Sequence, residues 1–258
     1  MNKPIGVFDS GIGGLTVLEA VYKLLPTENY IYLADFKNNP YGVKSVDEVE
    51  SIVVNNALLL EKMGAKLIII ACNTASLYVE SIKKAVRIPV IEVIEKTCEN
   101  ACNVSKNAKI GVIATQMTIE KGKYQSLINK ENKHAYGVKC SEFVDYIEHK
   151  FDDYDLGMKL VKEKINSLKE EKIDTLIYGC THFSLLEDKI KTVLGDINYV
   201  DCGSSIAPFV KEELVKNGLI NHQSETGKII AYTTKDVQSF REKLSLFNLK
   251  IESVEEIK

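Results

Sequence analysis

The 258-residue chain has no excess of either charge: 33 basic side chains against 36 acidic ones leave a net charge of −3. That balance gives no electrostatic footprint for nucleic acid or an anionic membrane, so neither is an expected partner. No apolar run approaches the roughly eighteen residues of a spanning helix. A strand is expected to open by Ile5, so a basic and then apolar signal peptide is not expected. Cysteine is sparse: six are scattered through a chain too large to need disulfide staples. Reduced thiols and a cytoplasmic location are therefore expected. Cys98 and Cys102 lie one helical turn apart, but no second ligand pair accompanies them, so no metal site is expected. What is present, 45% hydrophobic and 27% charged residues, is the composition of a globular protein long enough for two units.

Short apolar runs alternate with helical patterns, which predicts an α/β fold with parallel-type sheets flanked by helices. In the first half the expected strands are 5–8, 30–34, 67–71 and 90–94. Ser45 and Glu48 form a capping-box pattern that opens a helix over 46–63. The second half repeats the series, with strands 110–113, 136–139, 175–178 and 197–200 and helices near 118–128 and 156–168. A tail adds helices at 205–216 and 237–246 around a strand at 228–232. The tail is expected to complete the first of two pseudo-symmetric lobes, 1–95 plus 206–258, with 96–205 as the second.

The repeat carries chemistry. Cys72 follows the apolar run Leu67–Ala71, and Cys180 follows Thr175–Gly179, at matching places in the two halves. Both lie at the carboxyl edge of a parallel sheet, where ligands of open α/β folds bind. A thiol before a helix is expected to have a lowered pKa and to serve as a base near neutral pH. One such thiol alone could equally be a small buried hydrophobe. Two at matching positions imply two acid–base groups facing each other, the arrangement racemisation needs. Asp9-Ser10-Gly11-Ile12-Gly13-Gly14 also follows a strand and opens a helix, and its glycines would let backbone N–H groups approach an anion. The dinucleotide pattern fails at Thr16, and no P-loop lysine is present. Asp35, at the end of the next strand, could still imitate a ribose-binding carboxylate. His182, two residues past Cys180, could ionise or hydrogen-bond that thiol. Cys140 and Cys202 are read as packing residues.

Four motifs, Asp9–Gly14, Pro40-Tyr41-Gly42, Ala71-Cys72-Asn73-Thr74-Ala75 and Gly179-Cys180-Thr181-His182, together resemble glutamate racemase, of the cofactor-independent aspartate/glutamate racemase superfamily. The resemblance spans essentially the whole chain. It implies a substrate buried in the cleft between the lobes and no cofactor. It implies that Cys72 exchanges the α-proton with D-glutamate and Cys180 with L-glutamate, with Asp9 assisting the first, His182 the second, and Glu148 as a third supporting acid. Ser10, Pro40, Tyr41, Gly42, Asn73, Thr74, Thr118 and Thr181 match substrate-holding positions. Phe36, Glu92, Lys96, Ser141, Asp145 and Ser184 depart from the family pattern. The resemblance also implies a homodimer, a D-glutamate supply for peptidoglycan, and an interaction with DNA gyrase by analogy with some relatives. Aspartate racemisation, and cysteine hydrolysis by one thiol with His182, are the alternatives.

Overall fold

The computed structural model describes residues 3–257. The first half runs β1 (Ile5–Asp9), α1 (Leu15–Leu24), β2 (Tyr30–Ala34), α2 (Val46–Lys62), β3 (Leu67–Ile70), α3 (Asn73–Ser76), α4 (Val79–Ala85) and β4 (Val90–Glu92). The second half runs α5 (Ile94–Val104), β5 (Lys109–Ala114), α6 (Gln116–Lys121), α7 (Lys123–Lys130), β6 (His134–Lys139), α8 (Ser141–His149), α9 (Tyr154–Glu170), β7 (Thr175–Gly179), α10 (Glu187–Leu194) and β8 (Asn198–Val200). The tail holds α11 (Cys202–Lys216), β9 (Ile229–Thr233), α12 (Val237–Lys243) and β10 (Ser253–Glu256).

Two parallel sheets form, in the orders β10-β9-β2-β1-β3-β4 and β6-β5-β7-β8. Within them β2-β1-β3-β4 and β6-β5-β7-β8 are the same arrangement, so the repeat in the sequence is a repeat in topology. β3 and β7 occupy equivalent places. Strands β1, β2, β3 and β7 are buried along their whole length, as expected of strands covered on both faces. β9 lies beside β2 and puts the tail's strands in the first sheet, while α11 packs on α1.

Several elements differ from expectation, each for a local reason. The helix expected near 118–128 is two helices, because Gly122 takes a left-handed conformation (φ 67°) between them. The strand expected over 90–94 stops at Glu92. There the Glu92 carboxylate accepts the N–H groups of Ile94 (2.5 Å) and Glu95 (3.0 Å) and starts α5 instead. Helix α8 was not expected, although Phe143, Tyr146 and Ile147 recur at helical spacing and are its buried face. The capping box at Ser45 forms as expected.

Candidate active site

The carboxyl ends of β1 and β3 are neighbours, since Phe8 pairs with Ile70. Asp9 and the glycine loop therefore come beside Cys72. The Cys72 sulfur is 3.9 Å from Ser10 Oγ. Asp9 is fully buried; one oxygen accepts the Gly11 N–H at 3.0 Å and the other the Thr181 hydroxyl at 3.5 Å. Burial raises the Asp9 pKa, against the pull of the nearby His182 charge.

In the second sheet Cys180 directly follows β7. His182 Nδ1 is 3.9 Å from the Cys180 sulfur, and His182 Nε2 is 2.8 Å from Glu148 Oε1 on α8. The other Glu148 oxygen accepts from the Lys243 ammonium at the end of α12. Burial works against charge on His182, but its bonds to Cys180 and Glu148 outweigh it and push the pKa up to about 10. Burial likewise works against the Glu148 carboxylate, yet His182 and Lys243 hold its pKa down at about 2. The set favours an imidazolium at His182 and a carboxylate at Glu148. It puts a positive charge beside the Cys180 sulfur.

The expectation of a lowered pKa fails for Cys72. Burial pushes this thiol well above its ordinary value, and the Asp9 charge adds to the effect; the Ala75 N–H opposes it without prevailing. The helix that follows, Asn73–Ser76, is one turn long. So short a dipole cannot offset the loss of water around a buried thiolate.

The expected substrate-holding residues divide into two groups. Thr74 Oγ1 lies 3.2 Å from Thr115 Oγ1 and 3.3 Å from Thr118 Oγ1, and those two are 3.0 Å apart. Three hydroxyls bonded mainly to one another can turn their protons toward a carboxylate. This cluster joins α3 of the first half to the start of α6 in the second. Ser10 and Thr181 adjoin the two thiols, and Thr181 is tied to the first half through Thr16, which donates to its carbonyl at 3.1 Å. Pro40 and Gly42 line a cavity of about 340 Å³ with Asn39, Thr115, Ser141 and Glu148 among its other walls.

Tyr41 and Asn73 are engaged elsewhere. The Tyr41 hydroxyl donates to Asp35 at 2.8 Å, and the Asn73 amide oxygen accepts from Tyr124 at 2.6 Å. The nucleotide reading loses both its supports. Asp35 is buried and accepts from Asn38, Tyr41, Asn56 and Thr234, so it holds the turn before Tyr41 and has no oxygen free for a ribose. The glycine loop is filled by protein, since a Cβ at Gly13 would stand 2.5 Å from both His182 Nδ1 and Thr181 Oγ1. Cys140 is buried at the start of α8, and Cys202 is buried against Tyr124 and Asn73. Sequence reasoning missed Thr115 and Lys243. Thr115 caps α6 after strand β5, a position readable from its spacing; nothing local points to Lys243. Among the described residues no three His, Cys, Asp or Glu side chains could share a metal ion, and no helix is long and apolar enough to cross a membrane.

Comparison with known proteins shows the family. The family model described as Asp/Glu/Hydantoin racemase matches residues 18–208. Glutamate racemase 3 of Caldanaerobacter subterraneus subsp. tengcongensis is 39% identical over 243 residues, 93% of this chain and 88% of the relative. A glutamate racemase isoform of Bacillus anthracis superposes with a TM-score of 0.94 at 33% identity, covering 99% of this chain and 97% of the other. A Francisella tularensis glutamate racemase solved in complex with D-glutamate gives 0.91 at 31%, covering 100% and 98%. The chain belongs to the Asp/Glu/hydantoin racemase family and, within it, to the glutamate racemases.

Proposed function

We propose that the chain interconverts L- and D-glutamate by a two-base exchange of the α-proton between Cys72 and Cys180. The observation that carries this is the equivalence of β3 and β7, each followed by a cysteine with its own polar partners: Asp9 and Ser10 at one, His182 and Glu148 at the other. The Cys180 thiolate takes the proton from L-glutamate and becomes a thiol. The C–H electron pair passes to Cα and its carboxylate, and the Cys72 thiol returns a proton to the opposite face and becomes the thiolate. From D-glutamate the roles reverse. Negative charge spreads onto the α-carboxylate in the transition state, where preorganised donors act most strongly. The Thr74, Thr115 and Thr118 hydroxyls supply such donors.

The lobes divide at 95/96 and 205/206, with the substrate between them, a division supported by the tail strands beside β2. The D-glutamate formed supplies peptidoglycan synthesis in the cytoplasm, and a homodimer is the working assembly. Glutamate is favoured over aspartate by the glutamate racemases among the relatives. Hydrolysis by Cys180 and His182 would leave Cys72 without a role. The test is circular dichroism of L-glutamate, D-glutamate and L-aspartate solutions with purified protein and no added cofactor. Both glutamate signals should decay to zero while aspartate persists. Decay of aspartate alone moves the assignment to aspartate, and no decay overturns it.

A further inference from the structure

Lys243 lies far from every motif in the sequence, yet it closes a chain of contacts that ends at a thiol. Phe240, fully buried, anchors α12 against Tyr32 and Phe36, with ring centroids 6.1 Å and 5.9 Å away. Lys243 is three residues on and shares that helix face. Its ammonium lies over the Phe36 ring, 6.0 Å from the centroid. The ammonium meets one oxygen of Glu148, and the other oxygen holds His182 Nε2 at 2.8 Å. The Lys243 side chain is 22% exposed, Glu148 7% and His182 3%, so water competes little for these contacts. The Cys72 side has no counterpart. Asp9 and Ser10 are held by Gly11, Thr181 and the thiol itself, and among the described residues no lysine or arginine pairs with them as Lys243 pairs with Glu148.

We propose that Lys243 is a positioning residue for the Cys180 half of the exchange: it fixes Glu148, and Glu148 in turn aims His182 Nδ1 at the Cys180 sulfur. The inference rests on the two-base reading above and adds a one-sided consequence. A carboxylate with one oxygen unclaimed can rotate, and the imidazole can turn with it. The ammonium removes that freedom. Loss of Lys243 raises the barrier for proton transfer at Cys180 and leaves the barrier at Cys72 unchanged.

The asymmetry can be measured. Enantiomers have equal free energy, so kcat/KM must fall equally in both directions whichever thiol is impaired. Primary isotope effects with α-deuterated substrate do separate the two steps. L-glutamate gives up its label to Cys180 and D-glutamate to Cys72. In Lys243→Met, which keeps an unbranched apolar stem, kcat/KM should drop about tenfold, the change that one pK unit of altered interaction at the thiol would produce. The isotope effect from deuterated L-glutamate should rise and that from D-glutamate should fall. Lys243→Arg, which restores the charge, should recover most of the rate. Lys243→Gln replaces the Met variant if thermal unfolding shows that the latter is not folded. Isotope effects that stay unchanged or move together, with an active wild type, overturn the role of Lys243. A wild type that does not racemise glutamate overturns the two-base reading, and this inference with it.

Discussion

Cys72→Ala and Cys180→Ala should each lower kcat/KM by about 10²–10⁴-fold, the usual contribution of a positioned acid–base group. The size of the loss follows from the division of labour. Whichever thiol starts as base, the other must deliver a proton to the opposite face, so neither direction survives the loss of either. The double variant should be no worse than the poorer single one, because groups that act as a unit are not additive. Fold is spared. Each sulfur is a single buried atom, and truncation at such a site costs on the order of 1 kcal/mol. Initial rates by circular dichroism, with thermal melts of the same samples, check this. Full activity in either single variant would contradict the two-thiol account, and persistence in Cys72→Ala alone would fit a one-thiol enzyme.

Gly13→Ala should cost about 10²-fold in kcat/KM through geometry alone, since a misplacement near 1 Å can be worth that much. The new methyl would stand 2.5 Å from His182 Nδ1, 2.5 Å from Thr181 Oγ1 and 2.7 Å from His182 Cε1. The imidazole cannot swing into solvent, being buried and held by Glu148. It must move off Cys180 or force the glycine loop away. Overpacking of this kind also costs about 1–3 kcal/mol of stability. Gly11→Ala is the graded comparison. Its nearest atoms, Asn39 Nδ2 and Glu148 Oε1, are 3.3 Å away, so a smaller loss is expected. Equal rates in wild type and Gly13→Ala would show that the His182 position is not critical.

These two expectations mark the boundary of what the sequence made legible. The thiols could be found because each follows an apolar run with no competing pattern, and because the runs repeat. The repeated series of strands and helices in the two halves was readable for the same reason, whereas the strand orders within the sheets were not. The glycine loop was found, but not the packing its glycines permit. Its residues look like an anion cradle locally, and only the arrival of Thr181 and His182 from the other half reveals what the missing Cβ atoms make room for. The acidity of Cys72 was misjudged for a related reason. Helix proximity can be read along the chain, whereas burial and the Asp9 charge come from packing. Lys243 was invisible, because its partner Glu148 lies on α8, itself unrecognised, and the contact joins residues distant in the chain. Of the departures from the family pattern, Glu92 has a clear local role as the cap of α5, reinforced by Lys123 at 3.0 Å. Phe36 packs beneath Lys243.

The most direct test of the two-base exchange is racemisation of L-glutamate in deuterium oxide, read by proton NMR at the earliest turnovers. The donor thiol then carries a solvent deuteron, and the accepting thiol carries the substrate's proton. The account predicts that the first D-glutamate formed is deuterated at Cα while the remaining L-glutamate keeps its proton. D-glutamate that retains the original proton would mean that a single group carries it from face to face, and would contradict the pairing of Cys72 with Cys180.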